Sequence, residues 1–185
     1  MWHVLSPYVP LLALLCWAAA TDIRHRLIRN WLTGSLILCG LIQSFGPTHI
    51  VEPSAAALGL LTGLGLLILP FILGAVGGGD VKLLAGIGAW VGPVAVFQIF
   101  VIEAVIGLVI VLAQAAAAGR LRVLFRNSAV LAVNLAHASE LGINHVEQTG
   151  KHCRSVDRPL PYAVPTLLAT AIVVLLPMIL AGGQR

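Results

Sequence analysis

Two acidic side chains occupy positions where a carboxylate could take part in catalysis. Asp22 directly follows an apolar run, and Asp80 lies between three glycines and a second apolar run. Two carboxyl groups that share a site do not both ionise easily, so one of them keeps its proton. The ionised group can then activate a water as general base, while the protonated group polarises a carbonyl. If the fold brings the two residues together, they could carry out aspartic proteolysis.

Each aspartate also has an ordinary structural interpretation. Asp22 could be an interfacial residue whose charge is offset by Arg24 and Arg26. Asp80 is well suited to cap a helix N-terminus. A cap does not need the preceding Gly77-Gly78-Gly79 segment, however, because three glycines weaken a helix. They do permit an unwound backbone and the close approach of another chain, which favours a functional role for Asp80.

A third acid, Glu103, lies about ten residues into a long apolar segment, near the predicted middle of the membrane. An ionisable residue at that depth is a functional candidate by default. The alternative is a protonated or hydrogen-bonded packing residue near Gln98 or Gln114.

The composition predicts the elements that must position these acids. Hydrophobic residues make up 59% of the 185 residues, and 11 basic and 7 acidic residues fall in clusters between long uncharged runs. Such runs predict transmembrane helices and exclude a disordered chain, a soluble globule and a strand-built barrel. We therefore expect one all-α, polytopic membrane domain over residues 1–185.

The apolar runs predict about six transmembrane helices. The fourth run is too short to cross a bilayer unaided, so we expect it to be half-embedded or to begin inside the membrane. The predicted spans are about 4–20, 31–46, 54–76, 81–91, 94–118 and 161–182.

The basic residues predict the orientation. If the first helix starts outside, ten of the 11 basic residues face the cytoplasm, and Arg185 is the exception. Both termini are then outside, and Asp22 and Asp80 lie at the same cytoplasmic face. Residues 119–160 form a basic cytoplasmic loop, either a solvated linker or a helix on the membrane surface at 120–141.

No metal, cofactor or nucleic-acid partner is expected. The histidines match no metal-binding spacing, the three cysteines form no CxxC pair, and a net charge of +4 is weak evidence for nucleic acid. The expected surroundings are the lipid bilayer, and the sequence assigns no oligomeric state.

At both aspartates the sequence resembles the prepilin peptidases, or type IV leader peptidases, which are GxGD-type intramembrane aspartic proteases. Gly77-Gly78-Gly79-Asp80 matches the Gly-x-Gly-Asp motif, and Lys82 fits the basic residue often found two positions later. Thr21-Asp22-Ile23-Arg24, with Ile28 and Asn30, looks like the first aspartate motif, although Arg29 replaces its proline. Pro161-Tyr162 is similar to the segment that opens the last helix in small members.

The resemblance implies a function for these residues. Asp22 and Asp80 would be the catalytic pair, and Gly77 and Gly79 would let a substrate backbone approach. Lys82 would pair with the acids or extend to the membrane surface. The accessory positions are Asn30, Pro161, Tyr162 and Glu103.

The family cleaves the short basic leader of prepilins and pseudopilins at the cytoplasmic face of the bacterial inner membrane. Larger members add a methyltransferase region with paired CxxC cysteines. This chain begins at the first core helix and has no such pairs, so we expect peptidase activity without N-methylation. The short form is similar to the enzymes of Flp, or tight-adherence, pili.

Two other classes of function compete with this interpretation. A small transporter could use Glu103 and Asp80 in a polar pathway, although no inverted repeat is visible. A noncatalytic or degenerate scaffold of a pilus or secretion system is the second alternative, and Arg29 is the feature that favours it.

Overall fold

The computed structural model describes residues 6–47, 49–73, 76–123, 126–127 and 161–182, and these residues contain helices and no strand. The predicted all-α class is thereby confirmed. A short 3-10 turn, Ser6–Tyr8, precedes the first helix. The helices are α1 (Val9–His25), α2 (Asn30–Ser44), α3 (Pro53–Ile72), α4 (Gly78–Ala117) and α5 (Ala163–Gly182).

Three helical segments are long and apolar enough to cross a membrane. They are Ser6–His25, Pro53–Ile72 and Gly78–Ala117, and α5 adds a shorter apolar stretch, Ala163–Pro177. The chain is therefore a helical membrane protein. The number of six spans stays a prediction.

Helix α4 is divided at Gly92, as the sequence predicted. Gly92 has φ 82° and ψ 176°, a left-handed φ that suits glycine, and Pro93 follows it. In a straight helix, Asp80 and Glu103 would be about 35 Å apart. Glu103 nevertheless bonds Tyr162, whose neighbour Ala163 bonds Asp22. The loop after Asp22 in turn packs on Gly79, so the chain folds back at Gly92. We call residues 78–91 the first arm and residues 93–117 the second arm of this hairpin.

Helix α1 continues past the apolar run that predicted it. The prediction that Asp22 follows the first helix was wrong, because Asp22 lies in the last turn of α1. Its carbonyl accepts a hydrogen bond from the Arg26 amide at 2.8 Å, and Arg26 ends the helix with φ 53°. Hydropathy marks where a helix leaves the apolar region, whereas backbone hydrogen bonds decide where the helix ends.

The first arm of α4 is the most enclosed part of the described chain. Every residue from Leu83 to Trp90 is buried. On one side Gly59 of α3 faces Gly88, so closely that a Cβ on either would overlap the other's backbone. Small residues allow such close approach of membrane helices. On the other side, the Trp90 indole donates to the Leu36 carbonyl of α2 at 2.9 Å. Asp80 therefore lies just before a tightly packed segment of α4.

Helix α5 packs against both α1 and α4. Ala163 at its start and Ala169 in its second turn belong to the same buried cluster as Leu15 and Ala18 of α1. This packing brings the N-terminus of α5 to the end of α1 that carries Asp22.

Candidate active site

Asp22 is buried and is held by the first residue of α5. Only 6% of its surface is exposed, and its Oδ2 accepts a hydrogen bond from the Ala163 amide at 3.0 Å. The first amides of a helix have no partner within the helix, and they carry its positive dipole end. Asp22 therefore lies between the N-terminus of α5, which supplies its hydrogen bond, and the C-terminus of α1, which carries it.

Asp80 occupies the third position of α4, and Gly77 is the N-cap residue. Its Oδ2 accepts a hydrogen bond from the Gly77 amide at 3.1 Å. The interpretation of Asp80 as the N-cap itself was therefore wrong by three residues. Its side chain still stabilises the start of the helix by accepting from the N-cap amide, which is one half of a capping box.

Two contacts dock the segment after Asp22 onto the segment around Asp80. Gly79 lies against Ile28, with only 3.1 Å between the Ile28 Cβ and the position that a Cβ on Gly79 would occupy. The Lys82 ammonium donates to the Asn30 side-chain oxygen at 3.1 Å. The fold thus places the two sequence-predicted aspartates in one region.

These contacts also show what four further predicted site residues touch. The open side of Gly79 is filled by Ile28 of the same chain, and that of Gly77 faces the Asp80 carboxyl, at 3.2 Å. The partner of Lys82 is Asn30, a neutral amide. The roles of all four in a reaction stay predictions.

Glu103 is joined to the last helix by a tyrosine. It is 3% exposed, and its Oε1 accepts a hydrogen bond from the Tyr162 hydroxyl. Its Oε2 is buried without a hydrogen-bond partner among the described residues. A phenol hydroxyl can donate a hydrogen bond, whereas an ionised carboxylate only accepts, so Tyr162 is the donor of this bond.

The sequence suggested glutamine neighbours for Glu103 and did not find its tyrosine partner. Gln98 is exposed, and the Gln114 side-chain oxygen is itself buried without a hydrogen-bond partner in the described structure. A hydrogen bond between residues 59 positions apart leaves no periodic pattern in the sequence. The hydrogen bond from the Ala163 amide to Asp22 could not be predicted either, because every residue other than proline has a backbone amide.

Comparison with known proteins bears on the classes of function left open above. The sequence model of the type IV leader peptidase family matches residues 9–112, which is more than half of the chain. The chain belongs to this family. No curated protein and no solved structure matches it. The matched region includes Asp22, Asp80 and Glu103 and ends before α5.

Membership makes the chain a peptidase of the leader-cleaving class and a membrane protein, with prepilins as the substrates that the family implies. It also removes the support for a transporter. The family resemblance seen in the sequence is confirmed.

In this leader peptidase, Pro161 is half-buried next to Tyr162, and its carbonyl accepts a hydrogen bond from the Val164 amide at 3.3 Å. Pro161 thus helps to start α5.

No group of three or more His, Cys, Asp or Glu that could hold a metal ion occurs in the described parts of the chain, and the expected absence of a metal remains a prediction. Nearly all of the basic loop 119–160, including most of the predicted surface helix 120–141, lies outside the described residues.

Proposed function

We propose that this family member is an intramembrane aspartic endopeptidase that uses Asp22 and Asp80 as its catalytic pair. The main support is that the chain segment after Asp22 packs against the segment around Asp80. Ile28 contacts Gly79, and Lys82 donates a hydrogen bond to Asn30. Contacts of this kind hold two acids near one another, as a shared water requires.

The two acids divide the roles in this proposal. We assign Asp22, held by the Ala163 amide, as the ionised general base, because only one of two neighbouring carboxyl groups keeps its proton. Asp80 then carries the proton. In the first step, Asp22 takes a proton from water while the water oxygen attacks the scissile carbonyl carbon, and Asp80 gives its proton to the carbonyl oxygen. When the tetrahedral species collapses, the C–N bond breaks and the leaving amine takes the proton from Asp22. One hydroxyl group of the tetrahedral species returns its proton to Asp80, which restores the starting pair.

The proposed substrate is a prepilin or pseudopilin, cut between its basic leader and its hydrophobic helix at the cytoplasmic face of the bacterial inner membrane. An apolar groove of about 490 Å³ runs between the second arm of α4 and α5, the two elements that hold Glu103 and Ala163. Val101, Ile102 and Ile172 are among its lining residues. We assign this groove to the hydrophobic helix of the substrate, which remains in the membrane after cleavage.

The proposed chemistry involves the peptide bond, water and two carboxyl groups, and needs no metal or cofactor. The three cysteines form no CxxC pair, and N-methylation is therefore not part of the proposal.

Cleavage of a co-expressed prepilin in membranes, followed as a gel shift, tests the catalytic pair. We expect Asp22→Asn and Asp80→Asn each to lower the cleavage rate by at least about 10²-fold, because a general acid or base contributes about that much. Glu52→Gln is the matched control, since Glu52 is an exposed acid at the start of α3, and it should cleave normally.

The same assay separates this proposal from a noncatalytic scaffold. A scaffold predicts no cleavage by the wild-type protein at equal expression. Normal cleavage by either asparagine variant would exclude the aspartate mechanism while leaving the leader peptidase family assignment in place.

A further inference from the structure

Two hydrogen bonds and one peptide bond connect the second arm of α4 to Asp22. The Glu103 carboxyl accepts from the Tyr162 hydroxyl, Tyr162 is followed in the chain by Ala163, and the Ala163 amide donates to Asp22. Residues 103, 162 and 22 come from three different helices or their ends, so the series ties together α4, α5 and α1.

Packing alone does not account for Glu103. A carboxyl group that is 3% exposed costs free energy to bury, and one of its oxygens has no partner within the described chain. A leucine would fill similar space without that cost. The hydrogen bond from Tyr162 is the gain that offsets it, and this bond acts on the residue next to the Asp22 donor.

The position of the Ala163 amide depends on where α5 begins. The Tyr162 carbonyl accepts hydrogen bonds from the amide and the hydroxyl of Thr166, so Tyr162 is part of the first turn of α5. Fixing the Tyr162 ring therefore fixes both the start of the helix and the direction of its first amide.

We propose that Glu103 and Tyr162 are positioning residues for Asp22. Glu103 holds the Tyr162 hydroxyl, Tyr162 sets the start of α5, and the Ala163 amide then holds the Asp22 carboxyl in the orientation needed to activate water. Neither residue touches the reacting atoms in this scheme. The inference rests on the proposed function, because it assumes that Asp22 is catalytic.

The test compares variants that keep or remove the hydrogen bond. Tyr162→Phe removes only the donor, Glu103→Leu removes the acceptor, and Glu103→Gln keeps an acceptor oxygen while removing the acid. With purified protein and a prepilin, we expect kcat to fall roughly tenfold in the first two variants, about the worth of one buried hydrogen bond. We expect KM to change less than about twofold, because the substrate is not contacted. Glu103→Gln should retain most of the wild-type kcat.

A double variant gives a second, independent measurement. Tyr162→Phe combined with Glu103→Leu should lose no more kcat than either change alone, because both act through one hydrogen bond. Tyr8→Phe is the control, since Tyr8 is a half-buried tyrosine before α1, and it should be neutral.

Several outcomes would overturn the inference. Unchanged kcat in Tyr162→Phe would do so, as would additive losses in the double variant. Loss of kcat in Glu103→Gln equal to that in Glu103→Leu would show that the acid itself is required. If Glu103→Leu fails to fold, Tyr162→Phe, which deletes a single oxygen, decides the question. All of these results presuppose cleavage by the wild-type protein. Absence of that cleavage would instead refute the proposed function.

Discussion

At the scale of single residues, Gly79 shows why the glycine motif matters to the site. A Cβ at this position would lie 3.1 Å from the Ile28 Cβ and 3.5 Å from the Ile28 carbonyl oxygen. Neither atom can rotate away, so the loop after Asp22 would have to move. We expect Gly79→Ala to lower prepilin cleavage up to about tenfold, because the loop must move by a few tenths of an ångström, and a misplacement of about 1 Å can cost about 10²-fold.

The neighbouring Gly78 provides the control for that prediction. A Cβ on Gly78 would meet the edge of the Phe71 ring at 3.4 Å, which is ordinary contact with an adjustable side chain. Gly78→Ala should therefore cleave at near the wild-type rate in the same membrane assay. Equal effects of the two substitutions would mean that backbone freedom, rather than the contact with Ile28, is what the motif requires.

The sequence predicted the two aspartates but not what holds them. Asp22 and Asp80 were visible because charges are rare in this chain and each stands beside a long apolar run. The bond from Ala163 to Asp22 joins residues 141 positions apart. It uses a backbone group that carries no sequence signal, so only the packing of α5 against α1 reveals it.

At the scale of helices, turn chemistry was more informative than hydropathy. Gly92 and Pro93 predicted the break in α4, because a left-handed φ and a missing amide both interrupt a helix. The end of α1 was misplaced because Asp22 and Arg24 were read as loop residues. A helix can continue for a turn beyond the apolar region, and here it carries the catalytic candidate Asp22 with it.

The contact between α3 and α4 should dominate the stability of the described helices. A Cβ on Gly59 would overlap the Gly88 backbone, and a Cβ on Gly63 would lie 2.5 Å from the Leu84 carbonyl oxygen. We expect Gly59→Ala to destabilise the protein by about 1–3 kcal/mol, the usual cost of overpacking. The measurement is the thermal unfolding midpoint of the purified protein in detergent.

Gly65 is the matched control on the same helix. It is exposed, and nothing lies within 4 Å of the position that its Cβ would take. Gly65→Ala should leave the midpoint unchanged or raise it slightly, since alanine favours a helix over glycine. A midpoint in Gly59→Ala equal to that in Gly65→Ala would contradict the close packing of α3 on the first arm.

At the scale of the whole molecule, two tryptophans support the predicted level of the site in the membrane. Trp17 of α1 and Trp31 of α2 form an edge-to-face pair with ring centroids 5.6 Å apart, and both are about half exposed. Tryptophan is enriched where the hydrocarbon region meets the headgroups. Trp17 precedes Asp22 by five residues, or about 8 Å along a helix, so the pair places Asp22 near one membrane face.

The distribution of basic residues predicts which face that is. The α1–α2 connection carries Arg26 and Arg29, whereas the α2–α3 connection at 45–52 has no basic residue and one acid, Glu52. Positive connections remain in the cytoplasm. We therefore expect alkaline phosphatase, which is active only outside the cytoplasm, to be active when fused after His49 and inactive when fused after Asn127. A fluorescent protein that matures in the cytoplasm should give the opposite pattern.

Active phosphatase at Asn127 together with inactive phosphatase at His49 would mean that the membrane orientation is the reverse of the predicted one. It would place Asp22 and Asp80 on the side away from the cytoplasmic leader of a prepilin, and the proposed substrate would then be wrong even if the aspartate pair is correct.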